Sequence, residues 1–247
     1  MADPLNGPKA EFSLIQLLPN VLTITAICAG LSAIRFGVQG NYTLAVQLII
    51  FATILDGLDG RIARLLDCCT RLGAELDSLA DFMNFGVAPA LILYFWALQD
   101  NRGAAWIAVL IFAICCGIRL ARFNVGSKSE SDGHDNAYFE GVPSPAGAML
   151  VMMPMYLSFA FADFPKVPDA IIGTYMIAIG LLLVSRIQTW SFKTTRIPRE
   201  KVKFFLIGVA AVGTALLTFP WAMLILLCIG YVGMVIWACI DKKRSSS

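Results

Sequence analysis

The sequence predicts an all-α fold, a polytopic transmembrane helical bundle of about eight spans that forms one domain over residues 1–247. Hydrophobic residues make up 58% of the chain and charged residues only 15%, and the mean hydropathy is +0.73. This is more apolar surface than one water-soluble core of this length hides. Charge-poor runs also recur at close to the length of about 20 residues that a spanning helix needs.

The spans follow from the charge-free runs. Residues 204–240 form one such run, too long for a single helix across a hydrocarbon core of about 30 Å, and Pro220 is the expected break. Before the first span, residues 12–18 predict a short amphipathic helix at the membrane surface, ended by Pro19. We place the spans at residues 21–36, 42–65, 76–98, 104–123, 144–162, 170–184, 204–218 and 221–240.

Basic residues near span ends predict the orientation in the membrane, because they favour the cytoplasmic side. They lie in alternate connections, so both termini are expected in the cytoplasm. No cleavable signal peptide is evident, and the first span is expected to stay in the mature chain. The basic groups are Arg64 with Arg71, Arg122 with Lys128, residues 186–203, and residues 242–244.

Composition also argues against several classes of function. A net charge of +2, without a basic stripe carrying interleaved aromatic residues, does not favour a nucleic-acid partner. The seven cysteines have no metal-ligand spacing and are interpreted as small apolar residues. His134, the single histidine, lies in a polar loop, which disfavours a histidine base.

Four aspartates lie where charge is costly, at the cytoplasmic ends of the second and third spans. Asp56 and Asp59 are i, i+3 neighbours, and Asp77 and Asp81 are i, i+4 neighbours, so each pair lies on one helix face. A short turn between the two helices would bring all four together. The sequence therefore predicts a carboxylate cluster at the cytoplasmic end of a helical hairpin.

Such a cluster needs compensation, because a buried carboxylate costs about 2.5–3.5 kcal/mol on insertion scales and like charges repel. Hard cations such as Mg²⁺ or Mn²⁺ prefer oxygen ligands and would balance the four groups, with one or two ions. Ion pairs with Arg61 and Arg64 are the alternative. Beside the acids, Gly60 and Ala63 leave a strip poor in side chains where a phosphate could approach, and Arg64 is a permanent cation for a diphosphate.

Together these residues carry a longer pattern. It runs Asp56-x-x-Asp59-Gly60-x-x-Ala63-Arg64, then eight residues, then Gly73-x-x-x-Asp77-x-x-x-Asp81. It closely resembles the signature of the CDP-alcohol phosphotransferase family. The resemblance implies that Asp56, Asp59 and Asp77 bind divalent metal, with two ions expected, and that Asp81 is both ligand and general base.

The resemblance also implies where the donor lies. Gly60 and Arg64 would contact the CDP group, within the strip completed by Ala63 and Gly73, and Thr70 matches a hydroxyl position near the diphosphate. The segment Pro19-Asn20-Val21-Leu22-Thr23 is similar to the nucleotide-contacting start of the family's first span. A plain helix start with Asn20 as its cap is the other interpretation.

Two further stretches, residues 119–124 and 139–145, resemble the membrane-embedded phosphatidylserine synthase branch of the family. This implies L-serine as acceptor and CDP-diacylglycerol as donor, and the family resemblance suggests a homodimer. Arg119 and Arg122 could bind the serine carboxylate, and Arg186 and Lys193 are other candidates. Choline, glycerol phosphate or inositol phosphate as acceptor, or a cation transporter using the aspartates, remain the alternatives.

Overall fold

The apolar runs fold into helices, because a chain within a membrane must satisfy its backbone hydrogen bonds inside each segment. The structure is a computed structural model that describes residues 14–66, 70–100, 102–129, 138–140, 142–161, 163, 165, 167–185, 188–190, 208 and 213–245. Its main helices are α1 (Leu14–Val38), α2 (Tyr42–Leu65), α3 (Arg71–Asp81), a π-helical segment (Phe82–Val87), α4 (Ala88–Ala97), α5 (Arg102–Ser129), α6 (Ser144–Val151), α7 (Met153–Ala160), α8 (Asp169–Val184) and α9 (Pro220–Ser245).

Within these described residues, five helical stretches are long and apolar enough to cross a membrane. They are Leu17–Val38, Tyr42–Leu65, Leu72–Ala97, Arg102–Gly126 and Pro220–Ala238. The prediction of a helical membrane bundle is therefore confirmed, and the protein is an integral membrane protein. The predicted count of about eight is not reached here, because the fifth span is interrupted at Met152, the sixth (α8) has only 16 residues, and most of the seventh lies outside the described residues.

Two prolines behave differently from one another. Pro220 is the first residue of α9, as the break in the long apolar run predicted. Pro19, by contrast, lies inside α1, so the prediction of a separate surface helix ended by Pro19 is wrong for the described residues. Because Pro19 is close to the start of α1, its missing N–H removes a hydrogen bond only from the early turns, and the helix continues through it.

The bundle core is formed mainly by two helix pairs. α1 packs along α2, and α5 packs along α8. The first pair uses small residues, among them Ala26, Ala29 and Ala52, which let the helix backbones approach closely. Larger buried side chains fill the space between the pairs, including Ile49, Ile92, Phe112, Tyr156 and Met176.

The third span changes its helical form directly after Asp81. α3 runs into the π-helical segment and then into α4 without leaving the helical path. Asn84, fully buried in the π-helical segment, has its side-chain oxygen against the backbone of Gly30 in α1, where a Cβ atom would clash. Segments of π-helix often occur at functional sites. Here the segment fixes how the helix that carries Asp77 and Asp81 packs against α1.

The fifth span is broken between α6 and α7, and neighbouring helices satisfy the exposed backbone. Pro154 has no N–H to donate to the carbonyl of Leu150, four residues earlier. The hydroxyl of Tyr175 in α8 donates to this oxygen instead, at 2.6 Å. The thiol of Cys228 in α9 lies 3.6 Å from the carbonyl oxygen of Met149. Contacts from α8 and α9 therefore fix the direction in which α6 leaves the break.

A short antiparallel ribbon joins two connections between helices. Tyr138–Glu140, before α6, pairs with Gln188–Trp190, after α8, and Tyr138 lies opposite Trp190. The ribbon holds the stretch that leads into α6 close to the end of α8.

We expect Tyr175→Phe to lower the stability of the protein, because it leaves the Leu150 carbonyl without its donor inside the bundle. The expected loss is about 1 kcal/mol, the size of a hydrogen bond between membrane helices. Unfolding in mixed micelles measures it. Tyr156→Phe is the matched control, since the hydroxyl of this buried tyrosine meets only the sulfur of Met149, at 3.7 Å. Equal losses in the two variants would contradict this account of the break.

Candidate active site

Three aspartates meet where the end of α2 faces the start of α3. Carboxylate oxygens of Asp56, Asp59 and Asp77 all lie within 4.8 Å of one another. Only a few residues separate α2 from α3, and Thr70 caps α3 by accepting a hydrogen bond from the backbone N–H of Gly73 at 3.0 Å. The spacing in the sequence and the short connection therefore produce the cluster that was predicted.

Asp59 is held by a contact from α1. It is only 3% exposed, and the hydroxyl of Thr23 lies 2.7 Å from its Oδ2 atom. The same hydroxyl is 3.0 Å from the carbonyl of Pro19, so its single proton has two acceptors, of which the carboxylate is the shorter and charged one. The other oxygen of Asp59, Oδ1, is buried without a hydrogen-bond partner. Thr23 thus orients Asp59 and leaves one oxygen directed into the cluster.

Asp81 lies one helical turn further along α3 than Asp77. Its carboxyl group is hydrogen bonded to that of Asp56, and its Oδ1 atom is buried without a partner. Two carboxyl groups can approach so closely only if a proton or a cation compensates their charge. Asp81 therefore adjoins the group of three aspartates and faces the interior of the bundle.

The donor set fits a hard divalent cation. It consists of clustered carboxylate oxygens, one of them buried on Asp59 with no hydrogen bond to occupy it. Mg²⁺ and Mn²⁺ prefer such ligands. The alternative of ion pairing is not supported among the described residues, because Arg61 is exposed and Arg64 directs its Nε atom to the carbonyl of Gly60, at 2.9 Å.

An open strip runs beside the carboxylates on α2. A Cβ atom at Gly57 would meet nothing within 4 Å, and one at Gly60 would meet only the guanidinium of Arg64, at 3.9 Å. Ala63 follows Gly60 by about one turn, and Arg64 is exposed at this end of the helix. The strip therefore offers backbone and one arginine to a ligand approaching the cluster.

Three of the residues predicted at the nucleotide end meet around Gly73. A Cβ atom there would lie 2.8 Å from Oδ1 of Asn20 and 3.0 Å from Oγ1 of Thr70. Asn20 comes from α1 and Thr70 from the turn before α3. The interpretation of Asn20 as a helix cap is wrong, because α1 begins at Leu14 and Asn20 lies inside it. Pro19 contributes only its carbonyl, to Thr23.

The two arginines predicted for the acceptor separate in the structure. Arg119 turns into the bundle, where its Nη1 atom donates to Oγ of Ser144 at 2.5 Å and its charge interacts with Asp81. Arg122 is exposed and donates to the carbonyl of Val184 at 2.9 Å, which links α5 to the end of α8. Arg122 therefore does not join Arg119 at the carboxylate cluster. Arg186, Lys193 and His134 lie outside the described residues.

Sequence reasoning missed two residues at this site. Ser144, fully buried at the start of α6, lies in the stretch singled out above, but no role followed from its position. Tyr231 lies in α9, and its hydroxyl is buried without a hydrogen-bond partner among the described residues, close enough to Arg119 for the guanidinium charge to act on it. A tyrosine in an apolar span is common near membrane interfaces, so its position in the sequence carries no specific signal.

Comparison with known proteins supports the pattern. A model of the CDP-alcohol phosphatidyltransferase family matches residues 16–236. A CDP-diacylglycerol–serine O-phosphatidyltransferase from Mycobacterium tuberculosis is 36% identical over 93% of this chain and 80% of its own length. Enzymes of the same name from Helicobacter pylori and Methanocaldococcus jannaschii are 37% and 33% identical, over 74% and 70% of this chain and 75% and 74% of their own lengths.

Among solved structures, a phosphatidylinositol phosphate synthase from Mycobacterium tuberculosis with CDP-DAG bound has a similar fold. Its TM-score is 0.50, and the match covers 69% of this chain and 88% of that one. At 23% sequence identity this likeness concerns the fold alone. The family match spans nearly the whole chain, and the aspartates of its signature meet in the structure. The chain therefore belongs to the CDP-alcohol phosphatidyltransferase family.

Proposed function

We propose that the protein transfers the phosphatidyl group of CDP-diacylglycerol to L-serine and releases CMP, in a reaction that depends on a divalent metal. The observation that supports this most directly is the meeting of Asp56, Asp59 and Asp77 beside Asp81, at the edge of a membrane bundle. The curated relatives from three genera carry the same named activity, which supports serine as the acceptor.

The metal would be held by Asp56, Asp59 and Asp77, with Asp81 at the boundary of the group. Mg²⁺ or Mn²⁺ suits these ligands, and the family resemblance favours two ions. When bound, the metal supplies positive charge that offsets the charge developing on the diphosphate during in-line displacement. Thr23 would keep Asp59 directed toward it, as partners of metal ligands commonly do.

The donor would lie along the open strip of α2. Gly60 lets a phosphate approach the backbone, and Arg64 supplies a permanent cation at the exposed end. Asn20, Thr70 and Gly73 would contact the CDP group next to the strip. The two acyl chains would then leave toward the lipid, which the apolar outer faces of the helices contact.

The acceptor would react from the side of Asp81. The serine hydroxyl oxygen attacks the phosphorus of the phosphatidyl group while the bond from that phosphorus to CMP breaks. Asp81 takes the hydroxyl proton, and CMP leaves with the electron pair. A buried carboxylate with an unpartnered oxygen facing the bundle interior is suited to accept this proton.

Serine is favoured over phosphorylated acceptors by the charge near Asp81. A phosphate carries more negative charge than a carboxylate and would need a denser cationic pocket. Among the described residues, Arg119 is the basic side chain whose charge interacts with Asp81, and Arg122 binds the end of α8 instead. This single guanidinium suits an amino-acid carboxylate.

We also propose that the active site and both chain termini face the cytoplasm, in a bundle of about eight spans, and that the protein is a homodimer. Arg64 and Arg122 are both exposed close to helix ends, as expected for cytoplasmic basic residues. Residues 204–218 would supply the span that precedes α9, where residues 213–218 are already helical. The dimer follows from the family resemblance.

The function is tested by CMP release from CDP-diacylglycerol by the purified protein in detergent. We expect release with L-serine, its loss in EDTA and its recovery with excess Mg²⁺ or Mn²⁺. Asp81→Asn should lower kcat by about a hundredfold or more, because it removes the proton acceptor while keeping the shape. CMP release with inositol phosphate, glycerol phosphate or choline, but not with serine, would refute serine as the acceptor. No release with any of these alcohols would refute the proposed transferase activity.

Thr23→Val should weaken metal binding, because it removes the hydroxyl that orients Asp59. We expect the Kd for Mn²⁺, measured by electron paramagnetic resonance without substrate, to rise about tenfold. Thr23→Ser should bind like the wild type. Thr25→Val is the matched control, since the Thr25 hydroxyl bonds only to the Val21 carbonyl of its own helix. Unchanged Mn²⁺ affinity in Thr23→Val would show that Asp59 needs no such partner.

Gly73→Ala should impair use of the donor, because its methyl group would displace Asn20 and Thr70. We expect the KM for CDP-diacylglycerol to rise several-fold, with a smaller change in the KM for serine. Gly103→Ala serves as the control, since a Cβ atom there meets nothing within 4 Å. A selective rise in the KM for serine instead would place the residues around Gly73 on the acceptor side.

A further inference from the structure

Polar side chains from two other helices lie close to Arg119, whose charge interacts with Asp81. Arg119 comes from α5, Ser144 from the first position of α6 and Tyr231 from α9. None of these helices carries an aspartate of the cluster. The three groups therefore belong to a part of the bundle other than the α2–α3 hairpin.

The guanidinium of Arg119 is only partly used by the protein. Its Nη1 atom donates to Oγ of Ser144, and its charge faces Asp81, yet its Nε atom is buried without a hydrogen-bond partner. A guanidinium presents its donors as a planar fork, and a carboxylate can accept two of them side by side. A buried N–H left without an acceptor is costly, so an acceptor from a ligand would stabilise it.

Tyr231 presents a second unused donor at the same place. Its hydroxyl is buried without a hydrogen-bond partner among the described residues, and it lies close enough to Arg119 for the guanidinium charge to act on it. Ser144 is fully buried, its oxygen accepts from Arg119, and the Sγ atom of Cys116 lies 3.7 Å from the same oxygen. The three groups together offer several donors and one positive charge, which is the chemistry that recognises a carboxylate.

We propose that Arg119, Ser144 and Tyr231 form a carboxylate-binding subsite that makes the enzyme select an amino-acid acceptor. The proposal rests on the proposed function and adds the residues that recognise the acceptor. Arg119 binds the carboxylate with its fork, and the Tyr231 hydroxyl donates to one of the carboxylate oxygens. Because Arg119 also faces Asp81, a carboxylate bound here holds the acceptor hydroxyl next to the proposed base.

Tyr231→Phe tests this subsite, because it removes one hydroxyl and keeps the aromatic ring. Serinol is the matched probe, since it keeps the amine and hydroxyl of serine but lacks the carboxylate. We expect the KM for L-serine to rise about tenfold, the size expected for a hydrogen bond to a charged group. The inhibition constant of serinol against serine should stay within about twofold of the wild type, and so should the KM for CDP-diacylglycerol.

Tyr156→Phe, which removes a buried hydroxyl from α7, is the control. It should change neither the KM for L-serine nor the inhibition constant of serinol. If Tyr231→Phe raises the KM for L-serine and the inhibition constant of serinol equally, or changes neither, the subsite is refuted. The proposed function still holds in that case, provided that the wild type releases CMP with serine. A wild type that releases CMP only with an acceptor lacking a carboxylate would refute both. Arg119→Lys keeps the positive charge but loses the planar fork of donors. It should also raise the KM for L-serine relative to the inhibition constant of serinol.

Discussion

The arrangement of this protein depends on keeping several carboxylates close together at the edge of a membrane bundle. Four aspartates from α2 and α3 repel one another, and both their burial and their mutual repulsion cost free energy. The surroundings supply part of the compensation through the Thr23 hydroxyl on Asp59 and the Arg119 charge near Asp81. Within the part of the chain that the structure describes, Oδ1 of Asp59 and Oδ1 of Asp81 are buried without a partner, and these are the oxygens proposed to meet the cation and the acceptor.

Holding the carboxylates in place requires rigid helices around them. Close packing of small residues provides part of this rigidity, and side chains that satisfy the backbone where a helix is broken provide another part. Small residues bring α1 against α2, which lets Thr23 reach Asp59. The π-helical segment after Asp81 packs Asn84 against Gly30, so the third span cannot rotate freely about its axis. At the break of the fifth span, Tyr175 satisfies the carbonyl that Pro154 leaves, which fixes α6 and thereby Ser144.

Much of the site could be predicted because it depends on local periodicity. The i, i+3 and i, i+4 spacings place each aspartate pair on one helix face, and a short turn can only bring the two faces together. What failed depends on distant packing. Whether Arg119 or Arg122 enters the bundle is decided by contacts with α6 and α8. Tyr231 has no local signal, since only the fold brings α9 to α5.

Local periodicity and tertiary packing determine two different sides of the site. The groups proposed to bind the metal and the donor come from α1, α2 and α3, where the signature fixes their spacing. The groups proposed to bind the acceptor come from α5, α6 and α9, where single side chains such as Arg119, Ser144 and Tyr231 meet only through tertiary packing. These three helices carry none of the four aspartates. Side chains on the proposed acceptor side can therefore differ between proteins of one fold while the spacing of the acidic hairpin is kept.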